Sequence, residues 1–217
     1  KPIVIRCIIH QQVLCGKYLN ISCVLEPVMS TVNFIRSRGL NRQFRDFLSE
    51  VEAEYPDLPY HTAVPWLSSG KVLLRFFELR WEIELFSNEK NRPEPLLSNT
   101  EWLWKLAFAA DIIGFLNAFN LKLQGKTVLI CETHTAVKSF RRQLTLIESQ
   151  VTSSCFVHFP CCQKLKEEVK SPTQICNGYI FWAQTTVPAA FFRSWCKRSK
   201  HFHISKSIWM YNWGAST

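Results

Sequence analysis

Apolar residues along this chain recur mainly every three to four positions, which is the period of an α-helix. The first strong pattern predicts a helix from Ser68 or Ser69 to about Glu89. Pro93 and Pro95 follow it, and proline ends helices because it lacks an amide hydrogen and disfavours helix in the preceding residue. The predicted inward positions of this helix are Leu73, Phe76, Phe77, Leu79, Ile83 and Phe86.

A second strong pattern predicts a helix that Ser98 caps and Gly125 closes. Glu101 stands three residues after Ser98, which is the spacing of a capping box, and glycine supplies the left-handed backbone found at helix ends. The apolar stripe is too broad to face water, so we expect this pair of helices to form the stable centre of the core. Its members are Trp102, Leu106, Ala109, Ala110, Ile113, Leu116 and Phe119.

Weaker periodic patterns on both sides predict further helices. They cover about Cys7–Lys17, Val24–Ser37, a segment capped by Asn41 and ended by Pro56, Lys126–Val151, and Gln163–Lys170. A β-branched run at Ile3 predicts at most one short strand at the amino terminus. The predicted fold is therefore mainly α.

The domain organisation follows from where this periodicity stops. Residues 1–151 are expected to form one bundle of about five or six helices. Residues 152–217 are rich in cysteine, aromatic and basic residues, and Pro188 interrupts their apolar stretch, so we expect an irregular tail of uncertain order.

Composition and charge narrow the class of protein. The chain has 217 residues, 47% hydrophobic and 20% charged, which is ordinary for a globular protein. Lys105 and Asp111 interrupt the most apolar helix, so we expect no membrane partner. Nine scattered cysteines favour a reducing, intracellular setting. The chain opens at Lys1 with no leader, and we expect it to be a fragment of a longer protein.

Net charge is +9, and its distribution is uneven. Residues 1–150 carry 18 Lys and Arg against 15 Asp and Glu, whereas residues 151–217 carry 8 against 2. Most of the basic surplus therefore lies in the tail, where it is interleaved with aromatic residues.

Several motifs occur in an order that resembles the hAT superfamily of transposases, in particular its domesticated vertebrate copies. They are CIIHQQVLCGK, VNFIRSRGLNRQFRDFLSE, HTAVPWLSSGKVLLRFFELRWEI and EWLWKLAFAADIIGFLNAFNLKLQG. The nearest likeness is to the transposase-derived region of the general transcription factor II-I repeat domain-containing proteins. This resemblance implies the helical insertion domain of an RNase H-like transposase, and it fades after HFPCCQKLKEEV.

The resemblance also implies what this chain lacks. Active relatives hold two metal ions with three acidic residues, of which two would precede Lys1 and one would follow the helical insertion. None can be assigned here, and Asp111 alone on a core helix is better explained by a hydrogen bond to a neighbouring helix. Where the family pattern has arginine before tryptophan, this chain has Pro65 before Trp66, which removes a cation associated with DNA handling.

Two groups of basic residues are candidates for binding DNA, together with Trp66. Arginine binds phosphate through a planar fork, and cations beside stacking rings are typical of nucleic-acid surfaces. The alternatives are a solvated helix junction, balanced by nearby acids, and an irregular ending. The first group is Arg36, Arg38, Arg42 and Arg45, and the second is Arg193, Lys197, Arg198 and Lys200.

One segment, CFVHFPCC, has a spacing that resembles a metal site. Its candidate ligands are Cys155, His158 and Cys161, with Cys162 adjacent to the last. Structural zinc usually draws on two separated ligand pairs, and adjacent cysteines rarely bind one tetrahedral ion. We therefore expect a packed turn here, and no cofactor for the chain.

Two functional hypotheses remain open at this point. The first is a non-catalytic, domesticated transposase-derived module that binds nuclear proteins, with a role in transcription regulation. The alternative is a DNA-binding module that retains the basic surface of a hAT transposase. Both place the chain in the nucleus.

Overall fold

The computed structural model describes residues 21–37, 39–59, 65–123, 130–153 and 155–169. All regular structure within these ranges is helical, so the mainly α prediction is confirmed for the part of the chain that they cover. The predicted strand near Ile3, the helix Cys7–Lys17, the closure at Gly125 and the tail beyond residue 169 lie outside the described residues. The helices are α1 Ser22–Ile35, α2 Leu40–Glu50, α3 Pro65–Glu78, α4 Arg80–Glu89, α5 Thr100–Leu123, α6 Ile130–Thr152 and α7 Pro160–Glu168.

Helix α5 lies at the centre of the bundle and packs against α1, α3, α6 and α7. All seven side chains predicted to face inward on it are buried, which confirms the predicted core. Trp104 and Phe108 are buried as well, so α5 has apolar contacts around nearly its whole circumference. Helix α5 is therefore buried in the core on nearly all of its sides.

Among the described residues, α5 is also the one helix that is long and apolar enough to cross a membrane, judged by length and composition. The sequence-based expectation was that Lys105 and Asp111 make α5 too polar for a membrane span. The helix is apolar enough despite these two residues. Of its most apolar 18-residue window, 67% is buried inside the bundle. A helix that other helices surround carries apolar side chains on every face, so a core helix can have the same length and composition as a membrane-spanning one.

The single helix predicted from Ser68 to Glu89 is two helices, and the first begins earlier, at Pro65. The six predicted inward side chains are all buried, so the predicted face is confirmed. The break is at Leu79, whose φ of −93° and ψ of 17° depart from helical values. The Leu79 N–H still donates to Arg75, and the Ile83 N–H donates to Leu79, so one face continues through the break.

Gly70 sets the distance between α3 and α5. A Cβ at this position would lie 2.3 Å from Asn117 Nδ2 and 2.8 Å from Ile113 Cγ2. Both distances are far below van der Waals contact, so only a residue without a side chain fits. The two central helices therefore approach closely at this point.

Helix α1 contains Pro27, which removes one N–H from its hydrogen-bond ladder. The carbonyl that this N–H would have reached is that of Cys23. The indole N–H of Trp102 on α5 donates to that carbonyl at 3.1 Å. A side chain of the central helix thus replaces the bond that proline cannot make.

One cap differs from the prediction. Asn99, not Ser98, caps α5, because its side-chain oxygen accepts the Trp102 N–H at 3.0 Å. Ser98 instead donates to Glu84 on α4. The described part of α6 begins at Ile130, and the predicted start at Lys126 lies outside the described ranges.

Helix α2 also differs at both ends. It is preceded by Gly39, with a φ of 86°, and Asn41 lies inside it rather than capping it. It ends at Glu50, before a left-handed Glu52, and not at Pro56. Val51, which follows the helix, is exposed.

Candidate interaction surface

The described members of the arginine corner predicted as a DNA site have different surroundings. Arg36 is half-buried at the end of α1, and its guanidinium donates to the backbone carbonyl of Leu58. Arg42 is exposed and lies 3.8 Å from Asp46, one turn along α2. Arg45 is exposed, and Arg38 lies outside the described residues. The described members therefore include one structural arginine and two on the solvated face of α2.

The other basic candidates are not placed by the structure. Trp66 is on α3, but its side chain is outside the described set, as are Arg193, Lys197, Arg198 and Lys200. The numbers of charged residues inside and outside the described ranges can still be compared. The described residues carry 15 Lys and Arg against 17 Asp and Glu, and the remaining residues carry 11 against none. The described bundle is slightly acidic, and the whole positive surplus belongs to the rest of the chain.

The segment with metal-like spacing forms a packed turn and the start of α7. His158 Nδ1 lies 2.6 Å from Gln150 Nε2 on α6. Cys161 lies in the first turn of α7, and its side chain is buried. Burial is the largest cause that raises the pKa of the Cys161 thiol far above its usual range, which disfavours the thiolate that binds metals. Across the described ranges, no three side chains of the metal-binding types converge. Cys155, His158 and Cys161 are therefore not brought together as a ligand set.

Asp111 has the structural role that the sequence suggested. Its carboxylate, on the buried face of α5, accepts the backbone N–H groups of Cys161 and Cys162, each at 3.1 Å. These are first-turn amides of α7, which no bond within the helix can satisfy. Burial raises the pKa of Asp111 to about 6, although the bonds from the two cysteines lower it. One acid of the core thus caps a second helix.

The remainder of α7 is held by two ion pairs near the break between α3 and α4. Buried Arg80 donates to Glu168 at 2.6 Å and to the Phe77 carbonyl, also at 2.6 Å. Lys164 pairs with Glu78. These contacts fix α7 beside the junction of α3 and α4, and they engage charges that would otherwise surround the outer face of that junction.

That outer face carries the clearest candidate for a binding surface. Leu74, Trp81 and Leu85 are 45%, 55% and 60% exposed, and they follow one another at spacings of seven and four residues. This spacing places them on one side of the continuous α3–α4 face, opposite the core. We call these three residues the α3–α4 stripe. Exposed apolar residues grouped on one face are candidates for a protein-binding site.

A second concave feature lies between α5 and α6. It is a groove of about 630 Å³, in which Phe119 and Phe140 stack with ring centroids 4.0 Å apart. This stacking holds the two helices together. The groove is lined also by Phe115, Ala118, Lys122, Glu132, Thr135, Ala136, Ser139 and Gln143.

Comparison with known proteins gives a consistent result. The model of a family described as FAM200/GTF2IRD2 helical domain matches residues 6–152. General transcription factor II-I repeat domain-containing protein 2 from Mus musculus is 38% identical over 157 residues, and the protein of that name from Bos taurus is 37% identical over 155. These matches confirm the likeness to that group of proteins.

The matches cover 72% and 71% of this chain but 17% and 16% of the two relatives. The chain therefore spans less than a fifth of the length of the curated relatives it matches. No solved structure matches.

Proposed function

The chain belongs to the FAM200/GTF2IRD2-like helical domain family, and on that premise we propose that it is a non-catalytic module for protein interaction in transcription regulation. Its partners are nuclear proteins, and it works in the nucleus. The names of the relatives contain the words general transcription factor, which supports this setting.

The α3–α4 stripe is the observation that carries the proposal. Tryptophan is enriched at the centres of protein interfaces because it offers a large apolar area with few rotatable bonds. Trp81 lies between Leu74 and Leu85, and all three are fixed on helices whose opposite face is core. A rigid, preorganised apolar face loses little conformational entropy when a partner covers it.

Charge favours protein over nucleic acid as the partner of this bundle. A protein that binds duplex DNA neutralises phosphates with Lys and Arg, whereas the described residues are slightly acidic. DNA binding through the basic residues outside the described ranges, including Arg193, Lys197, Arg198 and Lys200, is the second candidate. Its support is the 11 basic residues, without one acid, in that part of the chain.

We further propose descent from a hAT transposase whose catalytic role has been lost. Two-metal phosphoryl transfer requires several convergent carboxylates. Asp111, the one acid that the sequence singled out, accepts two backbone N–H groups and serves as a helix cap. This structural use of Asp111 supports a non-enzymatic module.

The proposal is tested by comparing Trp81→Glu with Leu121→Glu in the full 217-residue chain. Leu121 is the matched control because it is 66% exposed and lies on α5, away from the stripe. Proteins retained from nuclear extract by the unaltered chain are identified and purified, and their affinity for each variant is measured. We expect Trp81→Glu to weaken direct binding at least about a hundredfold, as for an interface hot spot, and Leu121→Glu to change it little.

Equal affinity of every purified partner for both variants would refute the stripe as the binding surface. Duplex DNA binding at two salt concentrations, measured on the same proteins, addresses the second candidate. Salt-steep DNA binding that neither substitution changes would favour DNA as the ligand and phosphate contacts outside the stripe.

A further inference from the structure

The two ends of the α3–α4 stripe carry exposed side chains of opposite charge. Lys71 is exposed one turn before Leu74, and Glu89, whose Oε1 lies 2.7 Å from Lys90 Nζ, is exposed one turn after Leu85. Leu74 lies five residues before the break at Leu79, and Leu85 lies six residues after it. The stripe therefore has similar apolar groups on both sides of its middle, with an ammonium group at one end and an exposed carboxylate, shared with Lys90, at the other.

A surface of this kind is complementary to its own reversed copy. When two stripes run antiparallel about a two-fold axis near Trp81, Lys71 of each copy lies opposite Glu89 of the other, and Leu74 lies opposite Leu85. Each contact then occurs twice, as a two-fold interface requires. The break at Leu79 lies close to the midpoint between Lys71 and Glu89 in the sequence, so each helix contributes about half of the surface.

Several charges near the middle are engaged within the chain. The Arg80 guanidinium lies 5.5 Å from the centre of the Trp81 ring and pairs with Glu168, and Glu78 pairs with Lys164 of α7. Arg75 lies 3.7 Å from the centre of the Tyr55 ring and donates to the carbonyl of Asp57 at 3.0 Å. A second copy would therefore meet Trp81 beside an arginine whose charge already has a partner.

We infer that the α3–α4 stripe binds the same stripe of a second copy of this chain, in antiparallel orientation. This inference deepens the proposed function, because it rests on the stripe being an interaction surface and names one occupant for it. A different nuclear protein as the sole occupant is the competing outcome.

Sedimentation equilibrium of the full chain tests the inference through charge reversal. Lys71→Glu and Glu89→Lys each place like charges at both ends of the dimer, so each should raise the dimer Kd about tenfold. The double variant restores opposite charges and should return the Kd to within about twofold of the unaltered chain. Glu26→Lys, an exposed site on α1, makes the same charge change as Glu89→Lys away from the stripe and should leave the Kd unchanged.

Trp81→Glu provides the second measurement and should make the chain monomeric at concentrations where the unaltered chain is a dimer. Far-ultraviolet circular dichroism checks that every variant keeps its helices. A monomeric unaltered chain, a dimer that survives Trp81→Glu, or a double variant no better than the single ones would overturn the inference.

These outcomes separate the two proposals. If the unaltered chain is monomeric but Trp81→Glu still loses a purified nuclear partner, the self-association fails and the proposed function stands. If charge reversal behaves as expected while no nuclear partner responds to Trp81→Glu, the self-association stands and the proposed function fails.

Discussion

Helices α5 and α7 are held in the same bundle by different kinds of contact. Helix α5 has 24 residues, and most of its side chains are buried against four other helices. Helix α7 has nine residues, of which Cys161, Cys162 and Leu165 are buried. Its position is fixed by the carboxylate of Asp111 at one end and by ion pairs of Glu168 and Lys164 along it.

The difference shows how length decides the means of attachment. A long helix buries enough apolar surface to stay in the bundle with few directional bonds. A helix of two to three turns buries little, and its unsatisfied first-turn amides form a larger share of its backbone. Specific polar partners on other helices therefore matter more for α7 than for α5.

The largest expected effect comes from α5. Ile113→Ala should lower the free energy of unfolding by about 2–5 kcal/mol, because it removes packed atoms at the close approach to Gly70. Lys122→Ala, on the exposed side of the same helix, should change it by less than about 0.5 kcal/mol. Urea denaturation followed by circular dichroism measures both. Equal midpoints for the two variants would mean that α5 is not the apolar centre of the fold.

The next effect concerns the pH dependence of the cap on α7. Burial raises the pKa of Asp111 from 3.8 to about 6, so the folded chain binds this proton more tightly than the unfolded chain. The contribution of Asp111 to stability is therefore largest below about pH 4 and declines as pH rises to about 6. Over that window the decline should amount to about 2–3 kcal/mol.

Asp111→Asn is the matched control for this effect, because it keeps an acceptor oxygen but cannot ionise. The unfolding free energy of each protein is measured from pH 4 to pH 7, and the difference between them isolates Asp111. Parallel curves would show that the carboxylate is not buried against Cys161 and Cys162 as described.

The smallest expected effect is at the other end of α7. Glu168→Gln should destabilise the bundle by about 1–2 kcal/mol, because buried Arg80 loses a charged acceptor but keeps the Phe77 carbonyl. Glu167→Gln, its exposed neighbour, should have almost no effect. Hydrogen exchange of the α7 amides should rise in the first variant only. Identical exchange in both would indicate that the ion pair does not hold α7.

The pattern of apolar residues was sufficient to predict the inward faces of α3, α4 and α5. Leu73, Phe76 and Phe77 repeat at helical spacing, and a stripe as broad as that of α5 has to be buried. The break at Leu79 could not be predicted in this way, because the periodicity continues through it. The choice of Asn99 over Ser98 as the cap depends on backbone geometry that a spacing rule does not contain.

The candidate surface was missed for a related reason. Once the inward residues of the first strong pattern are assigned, Leu74, Trp81 and Leu85 remain as large apolar residues on the opposite side. Their spacing of seven and four was available in the sequence and would have identified the stripe. The prediction followed charge instead, and of its first group of arginines Arg36 has its guanidinium bonded to the backbone of the same chain.

The bond from Trp102 to the carbonyl of Cys23 has a consequence for the alignment of the two helices. Apolar side chains tolerate sliding, because neighbouring turns of a helix offer similar surfaces at intervals of 5.4 Å. Pro27 leaves one acceptor at one height on α1, and the indole N–H reaches it at one height only. A residue usually regarded as a helix breaker thus acts here as a marker of axial register between α1 and α5.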